Sequence, residues 1–365
     1  MDDKDYMKMA IEIAKLGIGK TSPNPMVGAV IVKNGRIIGQ GYHERYGDLH
    51  AERNALKNCV EDPKGSTIYV TLEPCCHTGK QPPCVEAIVE AGIARVFVGG
   101  RDPNPKVSGK GNSYLRSHGV EVTEDFMRKE CDEINEIFLH FIRKKTPYIA
   151  MKYAMTLDGK IASVTGKSKW ISCEKSREYV HKLRNKYRGI LVGIGTVLKD
   201  DPLLTCRMEG GRNPVRIICD SKLRIPLNSR IVQSAKEIDT IVATLSTDED
   251  KISRLKDMGV EIMYAKEKDK SIDVDDLLIK LGQRNIDSIL VEGGGTINWS
   301  FIESGRVNKI YSFISPKILG GKEALSAVTG LGFDSPNLAR NYQFISASHI
   351  GEDILIESEA ICLQE

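Results

Sequence analysis

The chain has 365 residues, more than the roughly 250 to 300 at which single cores stop growing, so two domains are expected. Its net charge of +3 is small and evenly spread, which argues against a nucleic-acid surface and suits an anionic small molecule better. No run approaches the roughly 18 to 20 uncharged residues of a membrane span, and the acidic start MDDKDYMKMA lacks the order of a secretory signal, so a cytoplasmic protein without a membrane partner is expected.

From Tyr6 to Leu16 apolar residues fall at helical spacing, and GIGKTSPNPMVG is too rich in Gly and Pro to continue the helix. GAVIVKNGRIIGQGY then places two β-branched runs around Asn34-Gly35, a pairing suited to the positive φ angles of a tight hairpin. Downstream, a helix over 50–59, a strand at STIYVTL, a helix over 83–91 and a strand at ARVFVG alternate as in a layered α/β sheet. A strand at GVEVTE and a long amphipathic helix to Phe141 complete the unit. The charged, Pro-containing stretch RKKTPYIA sets a boundary near Thr146, giving domains 1–145 and 146–365. Beyond it, the strand-like YIAMKYAM and strands around 189–194, 214–219, 239–244, 260–264 and 287–291, with helices between several of them, predict a second α/β domain. The stretch KEKDKSIDVDD reads as a solvated surface loop.

Of nine cysteines, Cys75, Cys76 and Cys84 crowd one short segment, which points to a metal rather than to a disulfide framework. Cys59, Cys131, Cys173, Cys206, Cys219 and Cys362 have no partner at ligand spacing and are expected to pack as small hydrophobes. DLHAERNAL puts His50 and Glu52 at the start of a helix, and TLEPCCHTGKQPPC puts Cys75 and Cys84 between a strand and the next helix. Three protein ligands, His50, Cys75 and Cys84, leave a fourth zinc position for water, whose pKa zinc lowers to about 7. His-x-Glu followed by Pro-Cys and a second Cys marks zinc nucleobase deaminases, in which the Glu moves protons; that role falls on Glu52. Residues two apart on a helix diverge in direction, so both can address one water only if the metal lies over the helix end. Eight residues separate the two cysteines where two are usual, which points to a particular subgroup. Cys75 follows Pro74 and matches the motif, whereas Cys76 is assigned to packing; His77 is a candidate pocket residue.

The segments SPNPMVGAVIV, GYHERYGDLHAE, TLEPCCHTGKQPPC and RDPNPKVSGKG closely resemble the bifunctional deaminase/reductase family of riboflavin biosynthesis. The resemblance continues through MKYAMTLDGKIA, SKWIS, GIGTVLKDDPLLTCR, RIICDS and VEGGGTI, nearly the whole chain. It implies a cytidine-deaminase-like three-layer α/β/α domain followed by an α/β domain similar to dihydrofolate reductase. The first would use zinc to hydrolyse the 2-amino group of a diamino-pyrimidinone ribosyl phosphate, and the second NADPH to reduce ribosyl to ribityl. It further implies that Asn24 and His43 hold the heterocycle, and that Ser168, Arg184, Leu204, Arg207 and Glu292 are reductase substrate positions. Ala154, Trp170, Thr196, Asp200 and Ser221 fall on cofactor positions, as does the run Gly294, Gly295, Thr296, Ile297, Asn298, Trp299 and Ser300. A homo-oligomer is expected on the same ground.

The residue chemistry supports part of this transfer. Arg184 and Arg207 each offer a planar donor set suited to gripping a phosphate. VEGGGTINWS follows an apolar strand and opens a helix, so Gly293 to Gly295 would admit a dinucleotide phosphate to backbone N–H groups, although the spacing is not that of the G-x-G-x-x-G fingerprint. Lys152 and Asp200 are candidates for the reductase proton donor. Rival readings are a deaminase with a degenerate reductase half, a nucleic-acid base deaminase with an accessory domain, and a non-enzymatic zinc module fused to a sensor.

Overall fold

The computed structural model describes residues 1–78, 81–104 and 108–361; Cys362 lies outside them. The chain divides into two compact units, Met1–Lys145 and Thr146–Glu365.

The first unit runs α1 (Asp3–Ala14), β1 (Gly28–Lys33), β2 (Arg36–Tyr42), α2 (Ala51–Lys57), β3 (Thr67–Leu72), α3 (Cys84–Glu90), β4 (Arg95–Gly100), α4 (Lys110–Ser117), β5 (Glu121–Thr123), α5 (Arg128–Glu133) and α6 (Glu136–Lys144). Its sheet has the order β2-β1-β3-β4-β5, antiparallel at β1 and parallel from β3 onward. The two-residue period of β1 sorts its side chains to opposite faces. Ala29 and Ile31 join one cluster with Ala51 and Ala55 of α2 and Val85 and Ile88 of α3, while Val30 and Val32 join Tyr6, Met7, Ala10 and Ile11 of α1. Helices therefore cover both faces, in three layers. Asn34 and Gly35 close the β1–β2 hairpin with φ of 51° and 75°. Close approach explains Gly41 in β2, where a Cβ would lie 2.4 Å from the Ala55 backbone nitrogen; its absence lets α2 lie directly on the strand.

The long helix expected up to Phe141 is instead two helices, broken at Ile134 and Asn135. The cause is tertiary. Asn135 accepts from the Met26 N–H at 2.8 Å and donates to the Met26 carbonyl at 2.9 Å, so its side chain serves a loop 109 residues away. Cys131, Leu139 and Phe141 are buried on either side of the break, so the apolar pattern runs through it. Asn135→Ala would strand both Met26 backbone groups. It is expected to cost about 2 kcal/mol, lowering the melting temperature of the first unit by roughly 6 °C in a calorimetric scan.

The second unit runs β6 (Tyr148–Thr156), α7 (Glu174–Lys186), β7 (Gly189–Gly193), α8 (Ile194–Asp200), β8 (Val215–Cys219), α9 (Arg230–Gln233), β9 (Thr240–Thr244), α10 (Glu249–Asp257), β10 (Val260–Tyr264), β11 (Glu267–Lys268), β12 (Ser271–Ile272), α11 (Val274–Gln283), β13 (Ser288–Val291), α12 (Gly295–Glu303), β14 (Lys309–Ser315), β15 (Tyr342–Ile350) and β16 (Asp353–Ala360). Nine strands form one sheet in the order β10-β9-β8-β7-β13-β6-β14-β16-β15, parallel except for β16 and β15. Alternation again divides the core: Leu191 and Ile217 pack toward Leu277 and Phe301, whereas Ile190, Val192 and Ile218 pack toward Val197, Ile231 and Leu255.

KEKDKSIDVDD is not a plain loop. It forms the β11–β12 hairpin, turning at Asp269 and Lys270 with φ of 50° and 63°, and then Asp273, which accepts from Asp275 N–H and Asp276 N–H to start α11. Arg216 on β8 is wholly buried and has no carboxylate partner among the described residues. Its guanidinium donates to Thr240 Oγ1, Ser234 Oγ and the carbonyls of Ile231, Ile238 and Leu203, and burial lowers its pKa to about 10.

Candidate active sites

In the first unit, His50 is the N-cap of α2, with extended backbone (φ −74°, ψ 164°), and Glu52 lies in the first turn. The cap residue leaves the helical path, which is how side chains two apart come to face one point. Cys75 follows β3 and Cys84 begins α3, the two loops being joined by the Cys84 N–H to Cys75 carbonyl bond of 3.0 Å. His50 Nδ1 lies 3.5 Å from Cys75 Sγ and 3.4 Å from Cys84 Sγ. Tetrahedral zinc, with bonds of about 2.1 Å to nitrogen and about 2.3 Å to sulfur, places such atoms roughly 3.6 Å apart, so the donor set fits that ion. Hydrogen bonds from the Cys84 thiol and His50 draw Cys75 down to about 4, the thiolate form that a metal takes. Among the described residues these three are the group able to hold a metal, and Cys76 packs instead beside the core.

Glu52 is buried, and burial pushes its carboxyl above the ordinary carboxylate range. It lines a cavity of about 260 Å³ with Asn24, His43 and His77. His43 Nδ1 faces the Leu49 carbonyl at 3.1 Å, which can only accept, so Nε2 is the acceptor for Asn24 Nδ2 at 3.3 Å. Burial lowers the His43 pKa, in keeping with that neutral tautomer. Asn24 and His43 are thereby joined side by side on the cavity wall. His77 Nδ1 is buried and has no hydrogen-bond partner among the described residues.

Three contributors escape a reading of motifs. Arg53 donates to the carbonyls of Pro82 and Pro83, fixing the approach to Cys84. Glu73 accepts from the N–H groups of Gly109, Gly111 and Asn112, tying the Cys75 loop to the start of α4. Asp102 lines the cavity and is pushed up to about 6 by burial. Arg53 and Glu73 lie beside motif residues, but their partners are far along the chain.

The second unit holds two cavities, of about 510 and 490 Å³, which share Ile161, Ser168, Thr196, Asp200 and Gly294. Ser221, Gly295, Thr296, Ile297 and Ser300 line the first, together with apolar Ile272, Leu277 and Phe301. Ala154, Trp170, Arg184, Leu204, Arg207, Glu292 and Asn298 line the second. Trp299 belongs to neither lining. It is 9% exposed and packs on Phe333, with ring centroids 5.0 Å apart. Cys219, expected only to pack, is both in the core and on the wall of the first cavity.

The glycine run has divided duties. A Cβ at Gly293 would strike Ile297 at 1.7 Å and one at Gly295 would meet Thr329 at 2.6 Å, so packing demands both; at Gly294 the nearest atom is Thr196 Oγ1 at 3.8 Å, leaving its backbone open to the cavity. A dinucleotide fits this arrangement: an open N-cap on α12, an apolar far end, and a volume in the range of ligand pockets.

Arg184 differs from the phosphate-gripping expectation. Its Nε and Nη2 donate to both Glu292 oxygens at 2.7 and 2.9 Å and its Nη1 to the Thr205 carbonyl at 3.0 Å, so three of its donors are committed. Arg207 lines the cavity, where Lys169, Arg177, His181 and Arg230 add further basic residues that no motif singled out. Arg177 also covers the Trp170 ring at 4.5 Å from its centroid, holding an indole that is 63% exposed.

A layered α/β unit with a His/Cys/Cys cluster and a buried Glu defines a zinc-dependent deaminase class, here followed by a mixed-sheet unit with a double cavity. Residues 1–100 match the cytidine and deoxycytidylate deaminase zinc-binding region, and residues 147–356 match the RibD C-terminal domain. The chain belongs to the RibD family of riboflavin biosynthesis proteins. It is 51% identical to the RibD protein of Actinobacillus pleuropneumoniae over 98% of this chain and 95% of that one, and 44% identical to that of Aquifex aeolicus over 97% of each. A solved Thermotoga maritima diaminohydroxyphosphoribosylaminopyrimidine deaminase/5-amino-6-(5-phosphoribosylamino)uracil reductase is 40% identical, with a TM-score of 0.87 and 98% of each chain covered. Acinetobacter baumannii RibD gives 33% and 0.89, again over 98% of each chain. Both halves of the chain are thus of enzyme families, a zinc hydrolase and a reductase.

Proposed function

We propose that the first unit hydrolytically deaminates 2,5-diamino-6-(5-phosphoribosylamino)pyrimidin-4(3H)-one and that the second reduces the ribosyl group of the product to ribityl with NADPH. The observation that carries this reading is the presence in one chain of a three-donor cluster backed by buried Glu52 and of two cavities that meet along a shared wall. When bound, zinc lowers the pKa of a coordinated water toward neutrality, and NADPH supplies a hydride.

The residues do the rest. Asn24 and His43 orient the pyrimidinone edge, and His77 offers a further polar contact. Glu52 takes one proton from the attacking water and gives it to the ring nitrogen, then takes the hydroxyl proton of the resulting tetrahedral adduct and gives it to the amine, which leaves as ammonia while the carbonyl forms; burial keeps its carboxyl basic enough for both transfers. In the second unit, Arg207 and its basic neighbours attract the substrate phosphate, while Ser168, Leu204 and Glu292 line the place for the sugar. Thr196, Asp200 and Gly294 stand on the shared wall, where the reacting carbon and the nicotinamide must meet. Lys152 lines that cavity, and burial lowers its pKa, which eases release of a proton from its ammonium.

Among the described residues no helix is long and apolar enough to cross a membrane. Cysteines at ligand distance need a reducing compartment to stay thiols, which supports the cytoplasm. The long edge strand β15, with Phe344 75% exposed, supports assembly with a second copy of the chain. The test supplies the diamino-pyrimidinone ribosyl phosphate with and without NADPH. Ammonia release is expected in both cases and NADPH oxidation only after it; ammonia without any NADPH oxidation would mean a degenerate reductase half.

A further inference from the structure

We infer that Asp158 is a positioning residue for the reduction: it fastens the loop between β6 and α7 to the loop after β14, and so fixes a wall that both ligands of the second unit meet. The inference rests on reading the two cavities of that unit as dinucleotide and substrate sites, and it goes beyond that reading. The motif TLDGKIA, which contains Asp158, has no other part in the site described so far.

Strands β6 and β14 are parallel neighbours with Thr156 opposite Ser315, so both loops leave the same end of the sheet. The first loop runs from Leu157 until α7 begins at Glu174. Its Ile161 and Ser168 line both cavities, and its Trp170 and Ile171 line the second. The loop after β14 gives Leu325 and Thr329 to the first cavity. Among the described residues one isolated β-bridge joins the two loops, Lys160 with Ser326. No strand ladder aligns them, so their relative position depends on side chains and a few backbone bonds.

Asp158 makes the densest of these ties. Its Oδ1 accepts from the Thr156 hydroxyl at 2.5 Å and from the Leu319 N–H at 3.2 Å, and its Oδ2 accepts from the Gly320 N–H at 2.7 Å. The Thr156 hydroxyl accepts in turn from the Lys160 N–H at 2.9 Å, so one carboxylate orders its own turn and the partner loop together. These bonds, that from Thr156 foremost, lower the Asp158 carboxyl to about 2, as expected where donors converge on the charged form. The far end of the first loop is tied to the same short stretch: Lys317 Nζ donates to the Trp170 and Ile171 carbonyls at 2.8 and 2.9 Å. Backbone bonds of 2.8 Å from Leu157 N–H to the Lys317 carbonyl and from Ile161 N–H to the Leu325 carbonyl add to the seam. Residues 317–320 therefore hold both ends of the excursion that carries Ile161, Ser168 and Trp170. Reacting atoms must come within roughly 3.5 Å, so a displaced wall is felt by both ligands. An amide at 158 cannot replace the carboxylate. With its oxygen on the Gly320 N–H, its NH2 would face the Leu319 N–H, donor against donor.

The test is equilibrium titration of the full chain with NADPH and, separately, with 5-amino-6-(5-phosphoribosylamino)uracil. Asp158→Ala is expected to raise the Kd of each by about 10- to 100-fold, and Asp158→Asn by about 3- to 10-fold, with stoichiometry and ammonia release unchanged. Lys317→Met frees the return end and is expected to weaken both ligands as well. A residue that only supports the fold would lower the bound fraction at saturation and leave both Kd values in place. That outcome, or a rise for one ligand alone, would overturn the assignment. Gly294→Val separates it from the reading beneath, because a side chain there enters open cavity and should weaken NADPH. If Gly294→Val leaves NADPH untouched, the cavity is not the dinucleotide site; if it blocks NADPH while Asp158→Ala moves neither Kd, Asp158 alone is wrong.

Discussion

Glu52→Gln is expected to slow ammonia release by about 10²- to 10⁴-fold while zinc stays bound at one ion per chain, measured by metal analysis beside the deaminase assay. The amide keeps the shape and burial of the side chain and can still accept a hydrogen bond, but it can no longer collect a proton and hand it on. The three donor atoms, His50 Nδ1 and the two sulfurs, are all supplied by other residues, so metal content should not follow activity. Reduction of the already deaminated substrate should proceed at the wild-type rate, since the residues of the double cavity all lie beyond Thr146. Deamination at the wild-type rate in this variant would remove Glu52 from the chemistry. Loss of zinc together with activity would make it a structural support of the cluster instead.

That the metal cluster is legible in the sequence follows from how local its parts are. His50 and Glu52 share one helix start, and Cys75 and Cys84 flank one loop, so a short motif carries nearly all the geometry. Most strand positions of the second unit are legible for a similar reason: β6 to β10 and β13 are largely apolar runs bounded by polar turns, whereas β14, β15 and β16 interleave polar residues along their length and escape the reading. What is not legible depends on distant partners. The break at Asn135 leaves no mark in the amphipathic pattern, because Met26 is what ends the helix. Trp299 sits in a run whose other members line the two cavities, and it packs instead against Phe333 and the Gly330 segment, both distant in sequence. The basic wall of the substrate cavity is drawn from Lys169, Arg177, His181, Arg207 and Arg230, which no local spacing groups together. Arg184 shows the same limit in another form, since its chemistry suits a phosphate and its position commits it largely to a carboxylate.

Glu292→Gln is expected to destabilise the second unit by about 3 to 5 kcal/mol at neutral pH and to abolish most reductase activity, while NADPH binding is kept. Arg184 and Glu292 form a two-pronged ion pair with side chains 15% and 8% exposed, and Glu292 also favours the charged form of Lys152 against burial. Removing the only carboxylate of the three leaves two cations with nothing to offset their desolvation. Both tryptophans of the chain, Trp170 and Trp299, lie in this unit, so denaturant titration followed by tryptophan fluorescence reports on it alone. The pH dependence has a definite sign. Lys152 already has a folded-state pKa below its ordinary value, and without Glu292 it falls further, so the penalty for its charged form is full below that pKa and relieved as pH rises. The deficit of the variant should therefore narrow as pH rises through the folded-state pKa of Lys152. Replacing both partners, Arg184→Met with Glu292→Gln, should be less destabilising than Glu292→Gln alone, because no guanidinium is then left buried without its counter-charge. A single variant as stable as the parent at pH 7 would show that the pair contributes nothing to the fold. Glu292 would then be a contact of the substrate cavity and no more.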